Sequence, residues 1–277
     1  MISFTGTPNA TITYTVDSGA NQTITLDASG NATVTTPTLN TNSTYTLVSV
    51  TASGTLACSQ NQTGSATVTV VPLPTAAIAG TTTICSGSTT TITFTGTPNA
   101  TVTYTVDSGA NQTITLDASG NASVTTPALT SDSTYSLVSV ASAGTLSCSQ
   151  LQTGSAIVSV ISLPTATISG STTICSGGTA TVTFTGTPNA VVTYTVDSGA
   201  NQTVTLDATG NATVTTSALS ATTVYSLVNV AAAGTTSCNQ SLTDSATITV
   251  IALPTATISG STSTCSGTTV TISISGT

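Results

Sequence analysis

Every 90 residues the chain returns to the same text. Cys85, Cys175 and Cys265 are spaced by that step, as are Cys58, Cys148 and Cys238, and the phrase Thr-Gly-Thr-Pro-Asn-Ala begins at Thr5, Thr95 and Thr185. A period this long fits an array of small domains and is too long for a solenoid of single hairpins. Whatever one unit folds into, its neighbours must fold into as well. The problem therefore reduces to one unit and the joints between units. The joints are marked by Pro72-Leu73-Pro74, Leu163-Pro164 and Leu253-Pro254, since proline ends a strand ladder and stiffens a short connection. The expected division is 1–74 for a repeat lacking its first strand, 75–164 and 165–254 for complete repeats, and 255–277 for the start of another. Such short linkers should restrict the angle between neighbours.

Within the unit 75–164, apolar residues alternate with threonine and serine. Ile92 and Phe94 alternate along 89–95, Val102, Tyr104 and Val106 along 100–106, Ile114 and Leu116 along 111–116, and Val124 lies in 121–126. Segments 134–140 and 155–160, with a short opening strand at 75–79, complete seven strands. Period two with one apolar face marks half-buried antiparallel strands, and threonine's β-branch suits the other face. Asp107-Ser108-Gly109-Ala110 and Asp117-Ala118-Ser119-Gly120 read as turns in which Asp accepts backbone hydrogen bonds and Gly takes a positive φ. Seven short strands with turns every 8–12 residues predict an all-β chain of tandem immunoglobulin-like β-sandwich domains. Tyr135 stands where a tyrosine-corner residue would sit. The broken alternation at Ser136-Leu137-Val138-Ser139-Val140 is expected to be either a strand buried on both sides or a bulge.

The 277 residues contain no Lys, Arg, His or Glu, and their eight acids are all Asp, for a net charge of −8. With no cation to displace counterions from phosphate, nucleic acid is an unsuitable partner, and anionic membrane surfaces are disfavoured. No apolar run approaches the roughly 20 residues of a membrane span. Side-chain salt bridges are impossible, so stability must come from apolar burial, backbone ladders and disulfides. Serine and threonine abound, but no His, Lys or Glu could take their protons. No catalytic residue, cofactor-binding residue or metal ligand is assigned, and no enzyme activity or cofactor is expected. Asp117-Ala118-Ser119-Gly120-Asn121 offers one carboxylate where calcium wants six to eight oxygens, so it reads as a plain turn. Asn9-Ala10-Thr11 and Asn31-Ala32-Thr33 match glycosylation acceptors, a pattern that a threonine-rich chain produces by chance.

The cysteines are the strongest local signal. Each complete unit carries one before its second strand (Cys85, Cys175) and one between its sixth and seventh (Cys148, Cys238). Without a Cys-x-x-Cys or histidine they read as disulfides. The favoured pairing is within a unit, Cys85 with Cys148 and Cys175 with Cys238. Against it, those loops lie at opposite ends of a Greek key, roughly 20 Å apart, whereas a disulfide needs Cα atoms within about 7 Å. The competing pairing joins Cys85 to Cys238 across a domain junction, and free thiols are the remaining alternative.

Ile84-Cys85-Ser86-Gly87, the threonine strands that follow, Thr134-Tyr135, Cys148 and the Pro-Thr-Ala-Thr-Ile-Ser-Gly openings at Pro164 and Pro254 resemble repeats of giant bacterial cell-surface adhesins. Those repeats are immunoglobulin-like or PKD-like domains exported by the type IX secretion system, and the resemblance spans the whole chain. It implies an extracellular, cell-surface stalk or filament segment that bears tension and projects a binding tip. Met1 occupies the repeat position of Thr91 and Thr181 and no secretion signal follows it, so a stretch of a longer array is expected. Neighbouring repeats are the expected partners, with lateral or head-to-tail self-association as a further expectation, because an uncharged surface lacks like-charge repulsion. The rival reading is a glycan-binding module using threonine faces such as Thr101, Thr103 and Thr105.

Overall fold

In the computed structural model, which describes residues 1–234 and 236–276, every regular element is a strand. Residues 1–74 form β1 (Ile2–Thr5), β2 (Thr11–Val16), β3 (Gln22–Thr25), β4 (Asn31–Val34), β5 (Ser43–Thr51), β6 (Ser59–Asn61) and β7 (Ser65–Val68). The next repeat forms β8 (Ala76–Ala79), β9 (Thr82–Cys85), β10 (Thr91–Gly96), β11 (Thr101–Val106), β12 (Gln112–Thr115), β13 (Asn121–Thr125), β14 (Ser133–Ala141), β15 (Ser149–Leu151) and β16 (Ser155–Ile161). Its successor forms β17 (Ala166–Ser169), β18 (Thr172–Cys175), β19 (Thr181–Gly186), β20 (Val191–Val196), β21 (Gln202–Thr205), β22 (Asn211–Thr215), β23 (Thr223–Ala231), β24 (Asn239–Ser241) and β25 (Ser245–Ile251). A hairpin of β26 (Ala256–Ile258) and β27 (Ile274–Gly276) follows.

In the repeat 75–164, one sheet runs β13-β10-β8 and the other β12-β11-β14-β16-β9, with β15 paired to β14. The repeat 165–254 has the same two sheets from β17-β19-β22 and β18-β25-β23-β20-β21. These are immunoglobulin-like sandwiches in tandem. Three separate cores lie between the sheets, built from residues of 2–68, 76–158 and 166–248. Ile92, Phe94, Val102, Val140 and Val158 are fully buried in the middle one. Ile92, Phe94, Val102 and Val158 are the apolar members of period-two runs, whereas Val140 follows the irregular stretch of β14. Phe94, Tyr104 and Tyr135 form an aromatic file with ring centroids 4.9 and 6.5 Å apart, repeated as Phe4-Tyr14-Tyr45 and Phe184-Tyr194-Tyr225. Tyr135 is the residue expected at the tyrosine-corner position, and it is buried at the head of β14.

Two details differ from the sequence reading, and a third decides between the two alternatives left open at 136–140. Among the described residues, each complete repeat has nine strands, the two additional ones in the middle repeat being β9 and β15. β9 is four residues long and pairs in parallel with β16, a pairing that leaves no alternation to read. The irregular stretch of β14 is a bulge: Thr103 faces Ser139 and Tyr104 faces Leu137, leaving Val138 without an opposite number. At the β11–β12 turn, Asp107 (φ 51°) and Ser108 (φ 59°) take the left-handed conformation, not Gly109. Two such residues in succession define the hairpin turn whose twist matches the flanking strands.

Candidate functional site

Cys85 is bonded to Cys238, with Cα atoms 5.5 Å apart. The favoured within-repeat pairing is therefore corrected, and strand direction gives the reason. β16 carries the chain out of its repeat toward Leu163-Pro164. β9 runs parallel to it, placing Cys85 opposite Ile161 at the exit end. The Ser86 amide donates to the Ile161 carbonyl at 2.8 Å and extends this edge toward the joint. In the following repeat, β23 runs antiparallel to the outgoing β25. Its far end thus lies at the entry end, and there the Ala232 amide donates to the Cys238 carbonyl at 2.8 Å. Exit end meets entry end, and the two cysteines staple consecutive repeats. Cys85 and Cys148 sit at opposite ends of one sandwich.

Of the four predicted cysteines, the structure joins Cys85 and Cys238 and leaves Cys148 and Cys175 as thiols, along with Cys58 and Cys265. The pattern of free thiols follows from the staple. Moving the Cys85–Cys238 pair by one repeat in either direction takes Cys175 and Cys148 to partners outside residues 1–277, and Cys58 and Cys265 behave the same way. Packing at the joint agrees: Ile161 and Leu163 are 39% and 36% exposed at the stapled joint, while Ile251 and Leu253 are both 57% exposed at the next one.

The aspartates hold turns. Asp117 Oδ1 accepts from the Ser119 and Asn121 amides at 2.8 and 2.9 Å, and Asp27 and Asp207 do the same in their repeats. In the third copy the Thr209 hydroxyl also donates to Asp207, and it leads the causes that hold this carboxyl below its ordinary range. Asp107 Oδ1 accepts from the Thr134 amide at 2.7 Å and Oδ2 from the Ser133 hydroxyl at 3.0 Å, tying the β11–β12 turn to the head of β14. Asp132 accepts from the Val160 amide at 2.7 Å. Among the described residues, no three of the His, Cys, Asp and Glu types gather closely enough to hold a metal ion. Thr101, Thr103 and Thr105 line the outer face of β11, half-buried between β12 and β14.

No protein-family model matches the chain, and comparison with curated proteins gives no match either. Solved structures that the chain matches include native α-2-macroglobulin of E. coli, with a TM-score of 0.29 and 10% identity over 94% of this chain and 23% of that one. They also include Sidekick-1 immunoglobulin domains 1–5, with a TM-score of 0.30 and 15% identity over 88% of this chain and 53% of that one. This chain thus spans about a quarter to a half of the length of these two structures.

Proposed function

We propose that this chain is a non-catalytic stalk segment of a long extracellular adhesin or surface filament, of the kind exported by type IX secretion, which projects a binding tip and carries tension. The observation that carries this reading is the Cys85–Cys238 staple. Its cysteines are 153 residues apart in sequence, so force entering along 1–85 crosses to 238 through one covalent bond. The intervening chain, most of two repeats, is bypassed. Unfolding those residues releases no length while the bond is intact. In a longer array with the same offset, successive staples overlap, with only the 27 residues that separate Cys58 from Cys85, or Cys148 from Cys175, between one bond and the next. Such a stalk is nearly inextensible, which suits a spacer that must hold a tip at fixed reach. A persistent disulfide also belongs to an oxidising, extracytoplasmic setting.

Single-molecule pulling between residues 1 and 277 tests the reading. With the staple intact, the 153-residue stretch contributes nothing to the final contour length. A reducing agent should add roughly 500–550 Å, at about 3.3–3.6 Å per residue. Equal contour lengths with and without reductant would refute the tension-bearing role.

A further inference from the structure

Both complete sandwiches end their larger sheet in the same way. Among the described residues, β12 pairs with β11 alone, and β21 with β20 alone. The Leu116 amide donates to the Ala100 carbonyl at 2.9 Å, as Leu206 does to Ala190, and this sets the phase of the ladder. Gln112 and Ile114 turn their backbone groups toward β11, so Thr113 and Thr115 turn theirs outward. Both threonines are exposed, as are Thr203 and Thr205. Such an edge is ordinarily closed to other chains by a charge, a proline or a bulge. Residues 111–116 read Asn-Gln-Thr-Ile-Thr-Leu, and β12 pairs in unbroken register, so none of these devices is present. Asp107 lies in the preceding turn, with its carboxylate held by Ser133 and Thr134.

The edge is also complementary to itself. Set antiparallel about Ile114, two copies of 111–117 place Thr113 opposite Thr115, Ile114 opposite Ile114 and Asn111 opposite Asp117. The outward amides and carbonyls of the threonines then meet in about four backbone hydrogen bonds, and their side chains form favourable cross-strand pairs. The one acid of the segment comes to a neutral amide and not to another acid. Asp117 Oδ1 is taken by the Ser119 and Asn121 amides, which leaves Oδ2 to accept from Asn111. Residues 201–207 repeat this text with Val204 at the centre.

We propose that this edge is a homophilic contact: β12 or β21 of one chain pairs antiparallel with β12 or β21 of a second copy, and two sheets become one. A four-residue strand makes a weak contact alone. Recurrence at the 90-residue step strengthens it, because a second pairing between the same two chains is intramolecular. The strands run between the entry and exit ends of a repeat, so chains paired in this way point in opposite directions. On the stalk reading, on which this last step alone rests, the contact joins stalks that project from facing surfaces.

The test uses the 277-residue chain with its free thiols alkylated, so that only non-covalent contact is read. Sedimentation equilibrium from roughly 1 μM to 1 mM should show the mass rising above 26.9 kDa with concentration. Over the same range, hydrogen exchange at the Thr113, Thr115, Thr203 and Thr205 amides should slow about 10-fold, while Gln112 and Ile114 keep their rates. Two variants break the contact by different means. Thr23→Pro, Thr113→Pro and Thr203→Pro together remove an outward N–H that the ladder does not use. Asn21→Asp, Asn111→Asp and Asn201→Asp together set acid against acid and keep every backbone group. Each should weaken association by about 10-fold or more, with the Cys85–Cys238 bond as the control of folding. For direction, chains with Thr23→Cys, Thr113→Cys and Thr203→Cys are mixed with chains carrying Thr25→Cys, Thr115→Cys and Thr205→Cys, the four free cysteines of both replaced by serine. Mild oxidation should link chains in the mixture and not in either preparation alone. Four results each overturn the proposal: a monomer throughout, slowed exchange at Ser123 and Thr125 of β13 in place of Thr113 and Thr115, association that either folded variant leaves intact, or linkage within one preparation. None of them disturbs the staple on which the stalk reading rests.

Discussion

Gly120 sits at φ +79°, and a Cβ there would lie 2.2 Å from the carbonyl oxygen of Gly96, which accepts no such approach. The Gly96 amide in turn donates to the Gly120 carbonyl at 2.9 Å, so the two backbones are held together at van der Waals range. Gly120→Ala should therefore destabilise its repeat by about 1–3 kcal/mol from the backbone conformation alone, with the clash adding to it; urea unfolding of the full chain measures this. Tyrosine gives a second prediction at this scale. Burial raises the phenol pKa of Tyr104, Tyr135, Tyr194 and Tyr225 above the ordinary value of 10.0. The unfolded chain then loses these protons first. Stability is unaffected by these groups below about pH 10 and falls as pH rises past it, so the urea midpoint should be lower at pH 11 than at pH 8.5. The turn-holding role of Asp117 was legible in the sequence, because Asp117-Ala118-Ser119-Gly120 sets a side-chain acceptor and a glycine at turn spacing between two alternating runs. The positive φ of Asp107 and Ser108 was not legible there. Gly109 is the usual residue for that conformation, and only the strand twist decides otherwise.

At the scale of strands, the opening strand β8 is held by Ile78, which packs against the core beside Leu137. Ile78→Ala should cost about 2 kcal/mol, the low end for a large-to-small change at a partly buried position, and should turn the middle repeat into a likeness of residues 1–74. Thermal unfolding with a repeat-specific tyrosine probe would register it; an unchanged transition would mean that β8 contributes little. Long strands such as β10 and β11 were readable because their alternation continues for six residues. β9 (Thr-Thr-Ile-Cys) and β15 (Ser-Gln-Leu) were not, since neither sets two large apolar residues two apart, as Ile114 and Leu116 do at the equally short β12. The bulge at Val138 left a trace in the sequence as Leu-Val-Ser-Val. There the buried positions step from Leu137 to Val140, but the pattern alone fits a doubly buried strand equally well.

At the scale of the whole molecule, the cysteine positions marked the staple without choosing its partner. The choice depends on β9 running parallel to β16. That places Cys85 at the exit end of its repeat, and no local pattern in the sequence encodes this direction. The opposite-ends objection to a within-repeat bond pointed the right way, because it used strand length and loop position instead of proximity in sequence. The most direct test is cleavage before aspartate of the unreduced chain, followed by mass analysis of the linked fragments. The staple predicts 27–106 joined to 207–243, separating only on reduction. Fragment 27–106 joined through Cys85 to 132–196, with 132–196 also joined to 207–243, would show bonds within repeats and contradict the account.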